Sequence, residues 1–119
     1  MTAAYDDAAG VTAAFNLNLL ARINRELEGT FDLTAFRHRA IWNPAESRIE
    51  MHLESLADQT AEVMGWSFRF RRGETVHTEN ACKYSLEGIS ALAEATGWSV
   101  AKTWVSEDHP FAIARLDQA

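Results

Sequence analysis

The stretch RIEMHLES places Ile49, Met51 and Leu53 in alternation with Arg48, Glu50, His52 and Glu54. Side chains along a strand point to opposite faces with a period of two, so this pattern specifies a strand with one buried and one wet face. The preceding NPAES is turn chemistry, because Pro44 fixes its own φ and restricts Asn43. Residues 37–43, RHRAIWN, read as extended. Two extended segments flanking a short turn pair as a hairpin.

The rest of the chain also carries readable patterns. Val11, Phe15, Leu19, Ile23 and Leu27 recur every fourth residue, with Leu20 beside them. That spacing predicts one buried face of a long helix from about Ala8 to Glu28, capped by Asp6 or Asp7 and stopped by Gly29. Asp32 caps a single turn over Leu33 to Phe36. Leu56 to Gln59 is a turn. A further extended segment runs from about Thr60 to Arg71, with Trp66, Phe68 and Phe70 on one face and Gly65 as a tight bend. VHTEN reads as another strand. Ser85 caps a second helix, LEGISALAEATG, whose inner face is Leu86, Ile89, Leu92 and Ala93 and whose stop is Gly97. Trp98, Val100 and Trp104 fit a strand, EDHP a turn and FAIARL a last strand. The expected class is α+β: a long N-terminal helix, antiparallel strands, a second helix and a C-terminal strand hairpin, in one compact unit over 1–119.

Composition narrows the functional classes. A hydrophobic fraction of 47% argues for a folded domain rather than a disordered tail. The net charge of -6 and a single basic cluster, Arg69, Arg71 and Arg72, argue against nucleic-acid binding, where phosphate neutralisation dominates affinity. The single cysteine, Cys82, leaves no internal disulfide and suits a reducing cytoplasm. MTAAYDDAAG does not have the pattern of a signal peptide, and no window approaches about 18 uninterrupted apolar residues, so no membrane span is expected.

The stretch GETVHTENACKY, from Gly73 to Tyr84, brings His77, Glu79, Cys82, Lys83 and Tyr84 close together in sequence. His77-Thr78-Glu79 has the His-x-Glu spacing of a zinc deaminase, but that site also needs Pro-Cys-x-x-Cys, and one cysteine is too few. No metal site is expected there. Alternation puts His52 on the wet side of its strand as a solvated histidine. His38, between two arginines, reads as structural, and His109, before Pro110, as exposed. Cys82 reads as a small buried hydrophobe, Lys83 as a solvated strand-end charge and Tyr5 as packing under the helix. Glu79 is either a strand-end surface charge or the partner of something specific. Pattern alone stops at an α+β domain.

Three segments carry more: YDDAAGVTAAFNLNLLARIN, WNPAESRIEMHL and GETVHTENACKY. Together they resemble the C-terminal portion of the histidine-specific S-adenosylmethionine-dependent methyltransferases, which make hercynine in ergothioneine biosynthesis. The resemblance runs from about Tyr5 to the final strand. It implies a complete fold of a Rossmann-like methyltransferase domain plus a substrate-binding domain. Residues 1–84 would then be most of the substrate-binding domain, and 85–119 the closing helix and strand hairpin of the methyltransferase sheet. The glycines, at 10, 29, 65, 73, 88 and 97, form no Gly-x-Gly after a strand, so this chain itself is not expected to bind S-adenosylmethionine.

By the same resemblance Glu79 accepts a hydrogen bond from the substrate imidazole. The family places a serine where this chain has Ala81, which removes a hydroxyl partner from the other ring nitrogen. Tyr5 matches a tyrosine that binds the substrate carboxylate. Thr12 and Phe15 match residues near the amine being methylated, and Met51 one that packs against the ring. No residue is assigned as a catalytic base, because methyl transfer needs chiefly an aligned, neutral amine. The implied function is the substrate-recognising part of an amino-acid N-methyltransferase that acts with a separate or missing cofactor-binding half. The competing reading is a stand-alone histidine- or amine-binding module without methyl transfer. A third expectation is a homodimer through an exposed sheet edge.

Overall fold

A computed structural model describes residues 2–108 and 111–119; the expectation for His109 lies outside them. The described elements are helices α1 (Val11–Glu26) and α2 (Leu86–Ala95) and strands β1 (Phe36–Asn43), β2 (Arg48–Ser55), β3 (Gln59–Val63), β4 (Trp66–Phe70), β5 (Thr75–Cys82), β6 (Trp98–Val105) and β7 (Ala112–Gln118). All strand pairs are antiparallel, so the class is α+β. Where the sequence leads to one compact unit, the chain divides into two, Met1–Cys82 and Lys83–Ala119.

In the first unit β2 is the central strand of a three-stranded sheet, ordered β1-β2-β5. Its burial alternates strictly, with Ile49, Met51, Leu53 and Ser55 buried. The hairpin with β1 runs in continuous register from Phe36 opposite Ser55 to Asn43 opposite Arg48. Leu20 of α1 packs with Phe36 and Leu53, and Leu17, Ile23, Phe31 and Phe70 close around them. The rings of Phe31, Phe36 and Phe70 meet edge-on or tilted, the geometry that aromatic quadrupoles favour.

Helix α1 is shorter than expected and turned differently. Gly10 has φ 73, a left-handed conformation that a helix cannot include, so the helix starts at Val11. Asp7 still caps it: its carboxylate accepts the N–H groups of Val11 at 3.2 Å and Thr12 at 3.0 Å. These bonds, Thr12 first, hold the Asp7 carboxyl below its usual pKa. The expected buried stripe is a correction. Val11 and Phe15 are 68% and 70% exposed, and Leu19 and Leu27 are exposed too. The buried positions are Asn16 and Leu20. A polar residue holds the inward position because the sheet supplies its hydrogen-bond partners.

The expected strand from Thr60 to Arg71 is a hairpin. Met64 and Gly65 both have positive φ, 49 and 83, as a two-residue turn matched to strand twist requires. Trp66 and Phe68 are exposed, while Phe70 turns into the core. Asp32 caps the short turn Leu33–Ala35 by accepting from the Thr34 N–H.

In the second unit Ser85 caps α2 by accepting from the Gly88 N–H. Strands β6 and β7 form a two-stranded antiparallel sheet with an irregularity between Val100 and Lys102. Of the expected inner face of α2, Ala93 is buried, Ile89 half-buried, and Leu86 and Leu92 are exposed.

Candidate functional site

Strands β2 and β5 pair from Arg48 opposite Cys82 to Glu54 opposite Thr75, with a register shift between Met51 and His52. His77 lies opposite His52 and Glu79 opposite Met51, leaving Thr78 as the extra residue of a β-bulge. In a regular strand His77 and Glu79 share a face. The bulge separates them: His77 joins His52 on the outer face, and Glu79 joins Met51 on the face toward α1. The His-x-Glu spacing therefore forms no joint site.

Asn16 anchors the bulge from the helix. Its Oδ1 accepts from the Thr78 hydroxyl at 2.7 Å, and that hydroxyl also lies 3.0 Å from the Met51 carbonyl. Asn16 Nδ2 donates to the His52 carbonyl at 3.2 Å and meets His38 Nδ1 at 2.9 Å. A carbonyl can only accept, so the His52 bond fixes the amide orientation. His38 Nδ1 must then accept, and its Nε2 donates to the Tyr5 carbonyl at 2.6 Å. Buried His38 is thus a structural link between the N-terminal segment and the sheet.

Between α1 and β5 lies a cleft of about 240 Å³ lined by Phe15, Asn16, Asn18, Leu19, Arg22, Thr78 and Glu79. Sites for drug-sized ligands run to roughly 300–1,000 Å³, so this one suits a smaller metabolite. Phe15 and Glu79 are the two residues implied by the resemblance that line it. Met51 is buried directly opposite Glu79. Ala81, two residues along β5, is half-buried opposite Ile49. Thr12 lies on the first turn of α1, one turn before Phe15. Tyr5 is half-buried and tied to the sheet through its carbonyl. Asn16, Thr78 and Arg22 are the residues that sequence reasoning passed over. The available signal was the placement of Asn16 four residues before Leu20, one turn along the same side of the helix.

A larger cleft of about 640 Å³ is lined by Asp58, Arg69, Phe70, Arg71 and Glu74. Its charges balance, and its lining includes none of the residues implied by the resemblance, so the smaller cleft is the better candidate.

His52 is a second correction. It is not solvated: its Nδ1 lies 3.0 Å from Thr75 Oγ1, its Nε2 2.9 Å from Glu50 Oε1, and its side chain is 12% exposed. Cys82 is exposed rather than buried.

The sequence matches the family model described as histidine-specific methyltransferase, SAM-dependent, over residues 1–118. Two curated relatives, each named histidine N-alpha-methyltransferase, come from Mycobacterium tuberculosis (strain CDC 1551 / Oshkosh) and Mycolicibacterium smegmatis (strain ATCC 700084 / mc(2)155). Each is 43% identical over 113 residues, covering 93% of this chain and 35% of the relative. The chain thus spans about a third of the length of these relatives. No described helix is long and apolar enough to cross a membrane. With almost every residue inside the match, this chain belongs to the SAM-dependent, histidine-specific methyltransferase family.

Proposed function

We propose that the chain is the substrate-recognising, C-terminal part of an N-methyltransferase that acts on the α-amine of L-histidine to form hercynine, the first step of ergothioneine biosynthesis. It works with a cofactor-binding portion, on the same polypeptide or another, that supplies S-adenosylmethionine. In that complete fold, residues 1–84 belong to the substrate-binding domain and 85–119 close a Rossmann-like sheet. The observation that carries the reading is the bulge at Thr78, which turns Glu79 toward α1 opposite Met51 and beside Phe15.

A carboxylate in that position accepts an imidazole N–H in a charge-assisted bond, a type that contributes about 1.5–3 kcal/mol. Arg22 and Glu79 line the same cleft, so it offers both charge signs to a zwitterionic amino acid. Phe15 and Leu19 provide apolar walls. Tyr5 and Thr12 contribute to the carboxylate and amine ends of the substrate, and Ala81 leaves one ring nitrogen with fewer protein partners. Transfer itself requires the neutral amine aligned with the sulfonium methyl, so these residues act by positioning and desolvation.

The test mixes this chain with the complementary remainder of a curated relative and follows methyl transfer from S-adenosylmethionine to L-histidine. Product that requires both parts, and falls when Glu79→Gln is used, supports the reading. No product from a mixture in which this chain still binds L-histidine favours the stand-alone binding module. Neither product nor binding removes the proposal.

A further inference from the structure

We propose that Glu50, His52 and His77 form a binding site for a divalent first-row transition-metal ion, represented by Zn²⁺, on the sheet face opposite the candidate cleft. Ligand atoms of the three side chains lie within 4.8 Å of one another. The pleat and the bulge bring them together. Glu50 and His52 are two apart on β2 and share its outer face, and the bulge makes His77 the cross-strand neighbour of His52. Two imidazoles and a carboxylate are a donor set for Zn²⁺, Cu²⁺ or Ni²⁺ rather than for Mg²⁺ or Ca²⁺.

The surrounding bonds orient the first two ligands. Glu50 Oε2 accepts from Arg48 Nε at 2.8 Å and Asn43 Nδ2 at 3.0 Å, which leaves Oε1 directed at His52. His52 Nδ1 is engaged by the Thr75 hydroxyl, which can rotate to accept its proton. Metal-bound histidines characteristically use the other ring nitrogen in this way. An ion would take the place of the proton now between His52 Nε2 and Glu50 Oε1.

His77 is the adjustable ligand. Its ring stacks on His52 with centroids 4.5 Å apart and planes 16° from parallel. No ion can lie in both of two stacked ring planes, so binding must turn His77 out of the stack. That motion is open to it, because His77 is exposed and its Nε2 contacts the surface side chain of Asn80. The Arg48 guanidinium opposes a cation, and its pairing with Glu50 offsets part of that charge. The expected affinity is therefore modest, and remaining coordination positions go to water.

The test is calorimetric titration of Zn²⁺ alone into the full chain carrying Cys82→Ser, with ring signals of the histidines followed by NMR. Cys82 is exposed and its thiolate would otherwise compete. The expected result is one equivalent bound, joint shifts of the His52 and His77 rings, and affinity at least about tenfold weaker in His77→Ala and in Glu50→Gln. Exposed His77 makes the first variant safe for folding if the second is not. Absence of zinc binding, unmoved His52 and His77 rings, or equal affinity in His77→Ala overturns the proposal.

Discussion

Replacing Asn16 by leucine tests the account of the bulge. Asn16 is 5% exposed and makes hydrogen bonds to His38, His52 and Thr78. Leucine keeps the γ-branched outline, is somewhat larger, favours the helix more than asparagine does, and removes every bond. The Thr78 hydroxyl retains the Met51 carbonyl as acceptor, so it loses least. His38 Nδ1 and the His52 carbonyl are left without that partner. Each unsatisfied buried group costs about 1–3 kcal/mol, and leucine recovers part through apolar burial, so the net loss is about 2–4 kcal/mol. For a unit of this size that corresponds to a fall in Tm of roughly 10–25 °C. Urea unfolding followed by circular dichroism reads the free energy, and thermal melting the shift. The neighbouring exposed Asn18→Leu is the control, expected to stay within about 0.5 kcal/mol. A loss below about 1 kcal/mol for Asn16→Leu, similar to the control, would refute the anchoring role.

Other predictions address separate parts of the molecule. Hydrogen bonds from Asn43, then His52 and Arg48, lower the Glu50 pKa from 4.5 to about 2. A depressed folded-state pKa gives stability that is present above 4.5 and lost as pH falls toward about 2; Glu50→Gln should flatten acid unfolding in that window, and an unchanged profile would contradict it. Leu53→Ala, at a fully buried position of β2, should cost about 2–5 kcal/mol in urea unfolding. Met64→Asn should stabilise the β3–β4 turn by a few tenths of a kcal/mol to about 1, because asparagine tolerates the left-handed φ of 49 better than methionine. Both strands of the β6–β7 sheet are edges within their unit, so sedimentation over a concentration series should show a reversible dimer; a monomer throughout would remove that expectation.

The legible parts of the sequence were those where local chemistry is decisive. RIEMHLES gave a strand because alternation has one geometric solution. Asp32 and Ser85 were visible as caps because short polar side chains before an apolar turn have few other uses. Helix rotation was less legible. Val11, Phe15 and Leu19 make a regular stripe, yet the sheet selects Asn16 and Leu20, because partners for the amide are distant in sequence. The bulge was invisible for the same reason: one extra residue in β5 becomes apparent only against β2. It put His77 and Glu79 on opposite faces and set His77 beside His52, whose bonds to Glu50 and Thr75 lie on the outer face. Glu79 emerged from the resemblance rather than from pattern, since an exposed strand carboxylate has no distinctive periodicity.

The most direct test of the central claim is L-histidine titrated into the isotope-labelled chain and followed by two-dimensional amide NMR. The account predicts saturable shifts centred on Phe15, Asn16, Thr78 and Glu79, with quiet signals at Asp58, Arg69 and Arg71 around the larger cleft, and loss of the response in Glu79→Gln. A well-dispersed spectrum with no shifts, or shifts that persist unchanged in Glu79→Gln, would contradict it.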